Sequence, residues 1–243
     1  MFDSDPSIRM RRFLDSAQYF DNFKPELTKV SKDDDLYHDV AWRFLDGWNA
    51  LKLPSILSIY QLTGNLLAMN RYNKYRLSLE REGEFRFQGL SLANEKLLFR
   101  GVPRYCPLGE LGVTTPCAHP DCKLCQAICE GFGPDLELKQ STGFHGARLG
   151  LGLYTTAESS KADKYAKNKD TSIYDKAMLL CKVALGEPFR TTEDMPMLTS
   201  PPPGFDSVHA VPGRSSSFSS DERVVYTEEA IVPAFLIIYN KSG

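Results

Sequence analysis

The sequence predicts an α+β domain with a largely antiparallel sheet. Helical periodicity comes early in the chain and short β-branched and aromatic runs come late, an order that separates helices from strands. With 243 residues, 42% of them hydrophobic, the chain can bury one substantial core. It is read as one domain, residues 35–243, behind a lead-in of residues 1–34, with an irregular Cys-rich insertion at about 102–147.

The lead-in is polar, ends in Lys32, Asp33, Asp34 and Asp35, and is expected to be helical or loose. From Tyr37, the residues Val40, Phe44, Trp48 and Leu51 recur at three- and four-residue spacing, predicting an amphipathic helix stopped by Pro54. Residues 55–67, SILSIYQLTGNLL, predict a strand broken at Gly64. A helix with Tyr72, Tyr75 and Leu79 on one stripe follows, then a short strand through Leu97, Leu98 and Phe99 to Gly101.

Residues 102–147 hold Gly, Pro and Cys with little apolar periodicity, so something besides a core is needed to order them. LGLGLYTT then predicts a glycine-punctuated strand. SSKADKYAK predicts a short helix capped by Ser159 or Ser160, and AMLLCKVAL a buried strand with Cys181 as a core thiol. A Pro- and Ser-rich stretch, roughly 198–220, leads into two last strands, ERVVYT and AFLIIYN.

Lysine and arginine total 29 against 31 acidic residues, so no global basic field recruits nucleic acid. The first residues carry no apolar signal region and no run approaches the roughly 20 apolar residues of a membrane span. The expectation is a soluble, intracellular protein that does not engage a membrane.

The chemistry-bearing residues become specific through their order. NEKLLFRG at 94–101 resembles the NERLLFHG phrase of poly(ADP-ribose) polymerase and tankyrase catalytic domains. RLGLGLYTTAESSKADKYA resembles their second motif, KAMLLCKVALGEPF their next core strand, and PPPGFDSVHAVPG with DERVVYTEEAIVPAFLIIY their active-site loop and final strands. The resemblance covers about residues 35–239, in collinear order. It implies the two-sheet ADP-ribosyltransferase fold with flanking helices and NAD as substrate. It further implies transfer of ADP-ribose to a macromolecule, a protein first among acceptors and nucleic acid left open; the short, Ser-rich loop from Ser207 to Ser220 favours a single unit.

It also implies site residues. Gly101 would offer its amide and carbonyl to the nicotinamide carboxamide, with no Cβ in the way. Tyr154 and Tyr165 would sandwich the nicotinamide ring. Glu222 would hold the ribose hydroxyls and stabilise the oxocarbenium-like cation, an effect of ~3 to 4 kcal/mol for an aimed group. Two residues depart from the pattern. Arg100 stands where the family has a histidine on the adenine-side ribose, and Ala162 where it has a serine on the carboxamide. A catalytically silent binding module and an NAD glycohydrolase are the alternative functions. His145, in a phrase that corresponds to the loop covering the donor site, is read as a surface or gating residue. His209 is read as an acceptor-loop residue that is exposed or touches a target.

Five of the six cysteines lie between Cys106 and Cys129. The C-x4-C-x2-C spacing of Cys117, Cys122 and Cys125, with Cys106 as fourth ligand, predicts a tetrahedral zinc site. His119 in place of Cys106 is the rival set, and Cys129 is spaced for a buried helix face. Tankyrases carry their zinc knuckle after the second motif, so the resemblance does not assign these ligands.

Overall fold

The structure, a computed structural model, describes residues 25–133, 135–137 and 147–241. Two sheets organise it. The larger has the order β1 (Glu26–Lys29), β2 (Ser55–Thr63), β9 (Ile231–Asn240), β5 (Lys176–Ala184), β3 (Glu95–Arg100), antiparallel throughout. The smaller runs β4 (Leu153–Thr155), β8 (Glu222–Val225), β7 (Ser207–Ala210), β6 (Pro188–Thr191), and its β6–β7 pair is parallel. Among the described residues one bridge joins the sheets: Phe99 N–H donates to the Thr156 carbonyl at 2.8 Å, and Thr156 N–H returns a bond to the Phe99 carbonyl at 3.1 Å. This is the α+β, two-sheet, mostly antiparallel architecture that the sequence predicts.

The larger sheet is covered on both faces, which is why β5 reads as a continuous apolar run. Its Met178 and Leu180 join Val40, Phe44 and Trp48 on one side, where helix α1 (Asp35–Asp46) packs. Leu179, Cys181 and Val183 point to the other side, which is covered by the Cys-rich segment through Leu108, Leu124, Ala127, Ile128 and Phe132. The insertion therefore does own part of a core, contrary to the expectation from its weak periodicity. Its helix α3 (Lys123–Glu130) is only two turns long and buries four residues, too few to register as a pattern. Helix α2 (Leu66–Gly83) places Tyr72 and Leu79 in a third cluster with Phe85 and Val232.

Several local expectations need correction. α1 ends at Asp46 with Gly47 as its cap, so Leu51 lies beyond the helix and is fully exposed. Residues 26–29, assigned to the lead-in, form β1 and pair with β2, so the sheet extends N-terminal to residue 35. Only Leu153–Thr155 of LGLGLYTT is a strand, because Gly150 turns the chain at φ +72°. Helix α4 (Ser159–Asp163) has Glu158 at its N-cap with no side-chain cap. The Ser159 hydroxyl donates instead to the Phe44 carbonyl at 2.6 Å, and Ser160 Oγ accepts from Asn49 N–H at 3.1 Å. These bonds tie α4 to α1 and to the loop that follows it. The Pro- and Ser-rich stretch contains β7, so His209 stands on a strand with its side chain largely buried. Cys129 is exposed, not packed on a buried helix face. His145 lies outside the described residues.

Candidate active site

A cavity of ≈ 450 Å³ opens where the two sheets part. Among the residues lining it are Arg100, Gly101, Tyr154, Lys161, Tyr165 and Glu222. The structure thus brings the five sequence-predicted donor-site residues to one cavity.

Gly101 leaves β3 just past the bridge. A Cβ there would meet the Ala162 carbonyl oxygen at 2.0 Å and the Ala166 amide at 2.6 Å. Glycine is therefore required by close packing of α4 against the strand, a reason independent of any ligand. Its own amide and carbonyl make no hydrogen bond among the described residues, so a donor and an acceptor stand side by side at the cavity wall.

Tyr154 sits on β4, its hydroxyl accepting from Leu149 N–H and donating to the Gly150 carbonyl, both at 2.9 Å. Burial pushes its phenol well above the ordinary range, more strongly than the Leu149 bond lowers it, so it stays neutral. Tyr165, just beyond α4, is 59% exposed and free to meet a ligand face.

Glu222 opens β8, and its Oε1 accepts from Lys161 Nζ; both side chains are largely buried. Lys161 was not singled out by sequence reasoning: 61 residues separate the partners, and a lysine on a short helix carries no local signal. The neighbouring Asp221 fixes this strand end. It bonds His209 Nε2 at 2.7 Å and accepts from Ala157 N–H at 3.1 Å and Arg223 Nε at 3.3 Å. Burial alone would raise the Asp221 carboxyl; the His209 bond and the Arg223 charge bring it below its usual value.

Arg100 is only 8% exposed. Its Nη1 donates to the Tyr154 carbonyl at 2.6 Å, its Nη2 to Asp135 Oδ2, and the guanidinium lies 5.1 Å from the centroid of the Phe132 ring. Nε is buried without a hydrogen-bond partner among the described residues. Asp135 and Phe132 were invisible in the sequence as site residues, since nothing local links them to position 100. Ala162 is buried in the α1-side core and offers no hydroxyl.

Away from the cavity, the Sγ atoms of Cys106, Cys117, Cys122 and Cys125 all lie within 4.8 Å of one another. His119 is outside that group. Its ring stacks on Tyr105 at 4.3 Å, and its Nδ1 accepts from Asp121 N–H at 3.2 Å. Cys181 is fully buried, and burial raises its thiol to about 12. No helix among the described residues is long and apolar enough to cross a membrane.

Residues 126–242 match the poly(ADP-ribose) polymerase catalytic domain. The chain is 33% identical over 157 residues, 63% of its length, to protein mono-ADP-ribosyltransferase PARP4 of Mus musculus, and 35% identical over 98 residues, 39% of its length, to that of Homo sapiens. It is 45% identical over 65 residues, 27% of its length, to protein mono-ADP-ribosyltransferase PARP3 of Gallus gallus. The chain spans 7%, 6% and 12% of these relatives respectively. Together with the two-sheet fold, these matches support a poly(ADP-ribose) polymerase-like ADP-ribosyltransferase catalytic domain, the family match itself spanning residues 126–242.

Proposed function

We propose that this domain is an active NAD-dependent ADP-ribosyltransferase that cleaves the nicotinamide–ribose bond and places a single ADP-ribose on a protein. The observation that carries the reading is the grouping of Gly101, Tyr154, Tyr165 and Glu222 around one cavity, with Glu222 held by Lys161.

The free amide and carbonyl of Gly101 complement a carboxamide, which presents an accepting oxygen beside a donating NH2 group. The two tyrosines supply aromatic faces for the nicotinamide ring. As the bond breaks, its electron pair leaves with nicotinamide, whose ring nitrogen loses its positive charge, and positive charge appears on the ribose. Lys161 occupies Oε1 of Glu222, leaving Oε2 without a partner among the described residues to meet the ribose hydroxyls. A carboxylate fixed before the reaction stabilises that cation without reorganising. The acceptor nucleophile then takes the anomeric carbon and loses its proton to solvent. With water as acceptor, the same site is an NAD glycohydrolase.

A silent binding module is the second reading, favoured by Ala162, which removes one carboxamide hydrogen bond of about 1 kcal/mol. Nicotinamide release from NAD separates the two. Wild type should turn over, and Glu222→Gln should be slower by roughly 10²-fold or more, the scale of losing one aimed group. Equal rates would remove Glu222 from the chemistry. Calorimetric binding of NAD with no turnover in wild type would establish the silent module.

A further inference from the structure

The four-cysteine cluster and the donor cavity are linked by a short stretch of chain. Cys106 Sγ lies 3.4 Å from Cys125 Sγ and 3.9 Å from Cys122 Sγ, far beyond the roughly 2.05 Å of a disulfide. Four thiolates at about 2.3 Å from a zinc ion sit about 3.8 Å from one another in a tetrahedron, and the observed spacings surround that value. Two sulfurs also receive backbone N–H groups: Cys122 from Tyr105 at 3.4 Å and Cys125 from Cys117 at 3.3 Å. Such bonds orient thiolate ligands and spread their charge. Cys122 and Cys125 are buried, whereas Cys106 and Cys117 are half-buried, which gives an ion a route in.

Helix α3 starts at Lys123, directly after one ligand, and carries another. Leu124 N–H donates to the Pro103 carbonyl at 3.1 Å, close behind Arg100 on the chain. Past the far end of the helix come Phe132 and Asp135, which hold the Arg100 guanidinium by its face and by Nη2. We propose that Cys106, Cys117, Cys122 and Cys125 bind a structural zinc ion, and that this ion, by fixing α3, positions Phe132 and Asp135 so that Arg100 is held at the wall of the donor cavity. Asp135 and Phe132 are then positioning residues, and metal occupancy governs the shape of the donor site. The zinc assignment stands independently; the effect on NAD rests on reading the cavity as the NAD site.

Native mass spectrometry and elemental analysis of freshly purified, reduced protein should find one zinc per chain, and Cys117→Ser should lose it. Absence of metal, or iron in its place, overturns the assignment. Stripping zinc with a chelator should raise amide hydrogen exchange in residues 97–104 as well as 105–130. Unchanged exchange at 97–104 overturns the coupling, whether or not NAD binds. Asp135→Asn should keep its zinc yet bind NAD at least 10-fold more weakly by calorimetry, as should the zinc-free protein. Native affinity in Asp135→Asn overturns the positioning role. Failure of zinc-loaded wild type to bind NAD would sink the proposed function while leaving the zinc count and the exchange result to stand or fall alone.

Discussion

Arg104 is the most demanding side chain in the structure, and its removal tests how the base of the insertion is held. It is 1% exposed. Nε donates to Asn168 Oδ1 at 2.8 Å, Nη1 to the Leu108 carbonyl at 3.1 Å, and Nη2 to both Glu110 Oε1 and the Asp175 carbonyl. Arg104→Met keeps most of the volume but leaves a largely buried carboxylate, the Leu108 carbonyl and the Asn168 amide oxygen without their donor, while the Asp175 carbonyl keeps its bond from Asn168 Nδ2. Breaking a buried ion pair from one side costs about 3–5 kcal/mol. For a chain of this size that is a fall in Tm of roughly 6–20 °C, at about 2–4 °C per kcal/mol. Arg104→Lys keeps the charge but loses the fork and should fall between the two. Adding Glu110→Leu to Arg104→Met removes the orphaned carboxylate and should restore at least ~1 kcal/mol. Thermal and urea unfolding followed by circular dichroism measure all four proteins. A loss under ~1 kcal/mol in Arg104→Met, or no recovery in the double variant, would refute the account.

Three further outcomes are expected. Gly101→Ala places its Cβ 2.0 Å from a main-chain oxygen of α4, so the helix must shift. A stability loss of about 1–3 kcal/mol should accompany weakened NAD binding, and native stability in unfolding would contradict the packing. Tyr165→Ala, at an exposed position, should change stability by no more than ~0.5 kcal/mol while NAD affinity drops roughly 2- to 12-fold in calorimetry, the worth of one stacked ring. Unchanged affinity would remove Tyr165 from the site. Asp163 feels a burial penalty that raises its carboxyl, outweighed by hydrogen bonds from Lys176, Lys241 and Tyr239 that bring it below its usual value. Because the folded value is depressed, its contribution is complete above the ordinary aspartate value of about 3.9 and is lost as pH falls through the folded value. Asp163→Asn should therefore lower stability at neutral pH and flatten the acid limb of the stability curve. Parallel curves would disprove it.

What the sequence made legible was what is written locally or in order. The apolar run of β5, the 3.6-residue stripe of Val40 and Phe44, and the collinear phrases around Gly101, Tyr154 and Glu222 each carry their signal within a few residues. Strands β6 and β7 did not, because four residues between prolines and serines are too short for an alternation to stand out. The polar pairs that hold the site were hidden for another reason. Lys161 with Glu222, Asp135 with Arg100 and His209 with Asp221 are made by tertiary packing, and no spacing rule connects them. The helix-cap expectation at Ser159 failed because the helix has Glu158 at its N-cap, which makes Ser159 the first helical residue, with its hydroxyl donating to α1.

The single bridge between the sheets has a consequence for how the cavity arises. Strand β3 pairs with β5 along one edge, and among the described residues its other edge meets Thr156 at Phe99 alone, so the nine described strands form one pleated surface that has come unzipped. Continuing the bridge's register by one more rung would set Gly101 against Tyr154. That rung is never closed: the Tyr154 carbonyl is satisfied by the Arg100 side chain, and the main-chain groups of Gly101 are left over. A planar amide arriving there would find the hydrogen-bonding edge of a missing strand. Arg100, by standing in for that strand on the far side of the gap, keeps the edges from annealing and preserves the opening that the cavity occupies.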